Sequence, residues 1–136
     1  MKIGLTGHTG AIGSEICKII DVYGFSKSNG YDITTANGRD KILLAAEELD
    51  VFINLANADF GATKLLIDLY SDWKDQKKQI INIGSAVADY NDMREDLALY
   101  AAQKAALKKA SKTLGHLCND CEVKYVSFGY IDTPKM

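Results

Sequence analysis

Lys2-Ile-Gly-Leu-Thr-Gly-His-Thr-Gly-Ala-Ile-Gly13 opens with a short apolar run, breaks at Thr6-Gly7 and resumes at Ala11 with helical spacing. The run Lys2–Leu5 predicts a buried strand. From Ala11 to Tyr23, Ile12, Ile16, Ile19 and Ile20 recur at three and four residues, which predicts a helix with a core-facing stripe. Gly24 is expected to end that helix. Glycines 7, 10 and 13 permit turn angles and close approaches that a side chain would forbid. The helix start then offers free N–H groups and partial positive charge, the chemistry of an anion site. His8 and Thr9 are expected at the exposed tip of the loop.

The same alternation continues. Phe25–Lys27 and Tyr31–Thr34 predict short second and third strands, separated by Ser28-Asn29-Gly30. Only a few residues join them, too few for the crossover helix that parallel neighbours require. Arg39–Leu49 predicts a helix, Val51–Leu55 a strand covered on both faces, and Ala62–Lys77 a helix through Leu65, Leu66, Leu69 and Trp73. Gln79–Ile83 is a further strand, a helix is expected from about Asp96 to Leu114, and Val123–Phe128 is the last strand. Strand–helix alternation implies parallel βαβ units. The expected fold class is therefore α/β, a doubly wound, Rossmann-like parallel sheet of about six strands in a single domain spanning residues 1–136.

Bulk properties exclude several functions. A net charge of −2 leaves no basic footprint for nucleic acid, and Lys108, Lys109 and Lys112 interleave with alanines as a solvated helix face. No stretch approaches the roughly 20 apolar residues of a membrane span. Cys17, Cys118 and Cys121 cannot all pair within one chain, which suits a reducing cytoplasm. Cys118-Asn-Asp-Cys121 lacks a second ligand pair for zinc and follows a helix instead of starting one, so ordinary thiols and no metal are expected.

Four further motifs sit at strand ends. Phe25-Ser26-Lys27-Ser28 carries a lysine and hydroxyls where dinucleotide-binding sheets of this kind place an acid on the ribose 2′-OH. Such a set suits a 2′-phosphate, so NADP(H) is expected in preference to NAD(H). Asn54-Leu-Ala56-Asn57 closes the strand at 51–55. Ser85 follows the strand at 79–83, and Tyr100-Ala-Ala-Gln-Lys104 sets a phenol and an ammonium four apart on one helix face. A free tyrosine has a pKa of about 10, and a nearby cation favours its phenolate. The last motif is Phe128-Gly-Tyr-Ile-Asp-Thr-Pro134.

Together these resemble the short-chain dehydrogenase/reductase family. Thr6-Gly7-x-x-Gly10-x-x-Gly13 is similar to its nucleotide loop, with spacing nearer the extended, epimerase-type branch. The resemblance implies cofactor contacts from Gly7, Thr9, Gly10, Ala11, Ile12, Gly13, Ser26 and Lys27. Asp32 and Ile33 correspond to its adenine pair, and Asn54 and Ala56 to its Asn-Asn-Ala-Gly element, from which Leu55 and Asn57 depart. Gly129, Ile131 and Thr133 correspond to the segment bordering the nicotinamide. Ser85 would hold the substrate oxygen and Tyr100 act as general acid/base. Lys104 would tune Tyr100 and hold the nicotinamide ribose.

The resemblance also implies a small carbonyl or alcohol substrate and a homodimer or homotetramer. Compared with the family, the sequence reads as truncated at Met136, where a substrate-binding region would follow. The helix at 62–77 has no asparagine at the family's solvent-linking position; Asp68 lies near it. Two other readings stay open: an NAD(P)-binding regulatory or structural module without turnover, and an epimerase-type enzyme on a nucleotide sugar.

Overall fold

The computed structural model describes residues 1–85 and 95–128. Strand β1 (Ile3–Thr6) leads through the glycine turn into helix α1 (Ala11–Ile19), and β2 (Tyr23–Phe25) into a 3₁₀ turn at Lys27–Asn29. Then come α2 (Ala36–Ala46), β3 (Val51–Asn54), α3 (Gly61–Trp73) and β4 (Gln79–Ser85). A 3₁₀ turn at Glu95–Leu97 precedes α4 (Ala98–Gly115) and β5 (Glu122–Phe128). The sheet is parallel throughout, in the order β2-β1-β3-β4-β5. The fold is α/β and Rossmann-like.

The chain steps from β1 outward to β2, then returns past β1 to β3 and continues one way to β5. With right-handed crossovers, that reversal puts α1 on one face and α2, α3 and α4 on the other. α3 packs against both α2 and α4, as neighbours on one face must. The main core lies beneath these three helices. Phe52 and Trp73 are fully buried and meet edge to face at 6.5 Å, and Phe25 packs beside Phe52 at 5.9 Å. Tyr31 closes on Phe25 at 4.8 Å, edge to face. Each such pair adds about 0.5–1.5 kcal/mol beyond simple burial. This aromatic row runs from under α3 to the β2 edge, where Phe25 and Tyr31 become a cleft wall.

Several boundaries differ from the sequence reading. Five strands, not about six, are present among the described residues, because Tyr31–Thr34 forms a turn. The Asp32 carboxylate there accepts from the Thr34 N–H at 2.9 Å and the Thr34 hydroxyl at 2.6 Å, a local closure that competes with strand pairing. Thr35 then caps α2 by accepting from the Gly38 N–H at 2.9 Å, so that helix starts and ends about three residues earlier than its apolar spacing suggested.

Helix α1 stops at Ile19, which is 81% exposed, so the expected apolar stripe is only half used. Gly24 is a strand residue and not a helix terminator. The His8 ring lies against it, so a side chain at 24 would overlap the imidazole. His8 is accordingly half-buried with its Nδ1 out of solvent, whereas Thr9 is exposed as expected.

Candidate functional site

The glycine turn does what its spacing predicts. Gly7 has φ +74°, a left-handed conformation that favours glycine, and its N–H donates to the Phe25 carbonyl at 3.0 Å. Its carbonyl accepts from the Gly10 N–H at 3.1 Å. Gly13 in α1 lies so close to this loop that an added Cβ would overlap the Gly7 carbonyl oxygen. Gly10 is the N-cap of α1 and has no side-chain cap, so the first-turn N–H groups receive no acceptor from that residue.

Thr6 supports the neighbouring loop from within. Its buried Oγ1 accepts from the Leu55 N–H at 3.0 Å and the Ala56 N–H at 3.1 Å, tying the ends of β1 and β3 together.

A cleft of about 550 Å³ opens at this point. It is walled by the Gly7–Gly13 turn, by Phe25, Ser26 and Lys27 after β2, by the Tyr31–Thr34 turn, and by Leu55–Ala58 after β3. Its place between the carboxyl ends of β1 and β3 is where the chain reverses direction across the sheet, the usual ligand crevice of such folds. Gly7, Thr9, Gly10, Ala11, Ile12, Gly13, Ser26, Lys27, Asp32, Ile33 and Ala56 all line it. Phe25, Tyr31, Thr34, Leu55, Asn57 and Ala58 line it too, though the sequence reading named none of them as contacts. Their signal lay in adjacency to the motifs, not in residue type.

The cleft suits an elongated, partly anionic ligand. Its volume falls in the range of small-molecule sites, about 300–1,000 Å³. A glycine floor at a helix N-terminus admits a phosphate close to the backbone. Lys27 is exposed and lines the cleft together with Ser26. The Asp32 carboxyl is held below its ordinary range, chiefly by the Thr34 hydroxyl, then by the Thr34 N–H and the Lys27 charge.

Asn54 braces the sheet and is not part of the cleft lining. It is buried, turned away from the cleft, and its Nδ2 donates to the Ala62 carbonyl and to Asn82 Oδ1, both at 3.0 Å. Asn82 in turn donates to the Lys124 carbonyl at 3.3 Å. These paired carboxamides knit β3, β4, β5 and the start of α3. The cleft lining after β3 comes from the next residues along the chain.

Ser85 ends β4, in register with Phe128 of β5. Tyr100 lies in the first turn of α4 and Lys104 one turn on. Since α4 runs antiparallel to the strands it connects, its N-terminus lies at the carboxyl edge of the sheet, the edge that also carries the cleft. Tyr100 is 36% exposed while Lys104 is 6% exposed, with its ammonium 5.9 Å from the Tyr100 ring centroid. Burial lowers the Lys104 pKa. Gly129, Ile131 and Thr133 lie outside the described residues.

Among the described residues no cluster of three potential metal ligands occurs, and no helix is long and apolar enough to cross a membrane. All three cysteines are free, and burial pushes the Cys121 thiol up to about 11, far from a reactive thiolate.

Against known structures the agreement is in shape. A short-chain dehydrogenase/reductase from Vibrio parahaemolyticus superposes with TM-score 0.79 at 16% identity, covering 94% of this chain and 84% of that one. The chain has the short-chain dehydrogenase/reductase fold. A short-chain dehydrogenase from Burkholderia cenocepacia J2315, in complex with NADP, gives TM-score 0.79 at 19% identity, with 98% of this chain and 75% of that one covered. Another from Leptospira borgpetersenii, with bound NAD+, gives 0.73 at 22%, with 98% and 73% covered. No family model matches the sequence, and no curated protein matches it. What is shared with these neighbours is the fold.

Proposed function

We propose that this chain is an NADP(H)-dependent oxidoreductase that moves a hydride between the cofactor and a carbonyl/alcohol pair. The observation that carries the reading is the sharing of one sheet edge by the glycine-floored cleft and the Tyr100–Lys104 face of α4. Neighbours of the same fold hold NADP in one case and NAD+ in another. The α1 N-terminus would hold the pyrophosphate, Ile33 and Tyr31 the adenine side, and Ser26 with Lys27 the 2′-phosphate. Gly129, Ile131 and Thr133 would border the nicotinamide, as the family resemblance implies. Bound there, the nicotinamide supplies or accepts the hydride.

The chain's own residues handle the proton. Tyr100 Oη protonates the substrate oxygen in reduction, or takes the alcohol proton in the reverse direction. Ser85 orients that oxygen from the end of β4. The buried Lys104 ammonium stabilises negative charge developing on the phenol. The free cysteines suit a reducing compartment, and the half-exposed Ile67 of α3 and Leu99 of α4 offer surface for a homodimer or homotetramer.

A second reading, NAD(H) preference, is favoured by one observation: the Asp32 carboxylate lines the cleft beside Lys27 and could take a ribose hydroxyl. Fluorescence titration with NADPH and NADH separates the two. With aldehydes and ketones, loss of the reduced-nicotinamide absorbance should be seen for the wild type. It should fall by about 10²–10⁴ in Tyr100→Phe while NADPH binding persists. Tight NADPH binding without turnover on any carbonyl, and no difference in Tyr100→Phe, would overturn the enzyme in favour of a binding module.

A further inference from the structure

Among the described residues strand β2 is the edge of the sheet, three residues long. Its inward side is paired with β1, and the Phe25 carbonyl accepts from Gly7. Its outward side would expose the Gly24 carbonyl and the Ser26 N–H, which a neighbouring strand would normally take. Tyr31–Thr34, expected to be that strand, is a turn.

The two outward groups are nevertheless paired, both by one side chain. Asn29 Nδ2 donates to the Gly24 carbonyl at 2.9 Å, and Asn29 Oδ1 accepts from the Ser26 N–H at 2.8 Å. Donating to residue i and accepting from residue i+2 is the pattern one residue of a parallel neighbouring strand makes. The carboxamide reproduces that peptide unit, and only this orientation of the amide satisfies both partners.

The location gives the pairing a consequence. Asn29 does not line the cleft, whereas Ser26 and Lys27 do. The backbone of the intervening turn is closed by Asn29 N–H to the Ser26 carbonyl at 3.2 Å and Tyr31 N–H to the same carbonyl at 2.9 Å. The Ser26 hydroxyl is held 2.7 Å from that of Ser28.

We propose that Asn29 is a positioning residue: by standing in for the absent edge strand it fixes Ser26 and Lys27 at the ribose end of the cleft, and so sets the preference for a 2′-phosphorylated dinucleotide. The inference rests on the dinucleotide reading of the cleft. The pyrophosphate site on the glycine turn is built by other residues, so loss of Asn29 acts on one end of the ligand only.

The test is the ratio of NADPH to NADH dissociation constants, measured by titration of the full chain, together with amide hydrogen exchange at Ser26. In Asn29→Ala, NADPH affinity should fall about tenfold while NADH affinity changes less than twofold, and the Ser26 amide should lose its protection. A role in stability alone would weaken both cofactors together, and an unchanged ratio in folded protein would overturn the proposal while leaving the dinucleotide site standing. Asn29→Ser, neutral and too short to span Gly24 and Ser26, should give the same altered ratio and serves if alanine does not fold. A wild-type chain that binds neither NADPH nor NADH would overturn the dinucleotide reading and this proposal with it.

Discussion

Replacing Gly13 with alanine tests the join between fold and site most directly. The added Cβ would overlap the Gly7 carbonyl oxygen and stand 2.8 Å from both the Gly7 carbonyl carbon and His8 Cα. These are backbone atoms, so no side chain can swing aside. Carbon–carbon contact is comfortable at about 3.5 Å or more, so helix and loop must separate by roughly 0.7 Å, and by more at the oxygen. Forced packing of this kind costs about 1–3 kcal/mol. For a chain of this size that is a fall in Tm of about 4–12 °C.

The same displacement moves the N–H groups proposed to meet the pyrophosphate. Losing two hydrogen bonds to a charged group, at about 1.5 kcal/mol each or more, weakens NADPH by about two orders of magnitude. Thermal unfolding followed by circular dichroism reads the first effect and fluorescence titration the second. Gly10→Ala is the matched control, because its Cβ meets only the Gly7 carbonyl oxygen at 3.5 Å and its φ is −78°. It should keep Tm within a few degrees yet weaken binding, since its methyl enters the cleft floor. Gly13→Ala with unchanged Tm and unchanged affinity would refute the packing argument. A destabilised variant that still bound NADPH normally would show that the nucleotide does not rest on this turn.

Two further outcomes follow from charge. Burial lowers the Lys104 pKa below its ordinary value of 10.5. The unfolded chain therefore holds this proton to higher pH than the folded one, and wild-type stability should rise between the lowered value and 10.5 relative to Lys104→Met. Urea unfolding at pH 7 and pH 10 checks the sign, and a fall relative to Lys104→Met would contradict it. The Asp32 pKa is also lowered, but by hydrogen bonds that favour the charged form, so it contributes stability above its ordinary value of 3.8 that is lost as pH falls through the folded value. Asp32→Asn, which keeps an acceptor for Thr34, should show a shallower acid-unfolding slope by circular dichroism.

Much of this protein was legible in one dimension. The apolar runs at 2–5, 51–55 and 79–83 and the strand at 123–128, alternating with helical spacing, specify a parallel α/β sheet because burial on both faces demands continuous apolar strands. The glycine spacing declared a tight strand-to-helix turn, because Gly7 takes a left-handed φ and Gly13 a contact that a side chain would not tolerate. Tyr100 and Lys104 declared a shared helix face by spacing alone.

Other features depended on partners distant in sequence. Periodicity could not show that Tyr31–Thr34 turns instead of pairing, since that rests on the Asp32–Thr34 closure and on Tyr31 packing against Phe25. Nor could residue type show that Asn54 faces Asn82 and Ala62, that Gly24 makes room for His8, or that Asn29 completes the sheet edge. Sequence reports what each side chain prefers locally. Which carboxamide meets which peptide group is settled only when the strands are in register, because hydrogen bonds require a partner at a particular place and angle, whereas burial requires only a face.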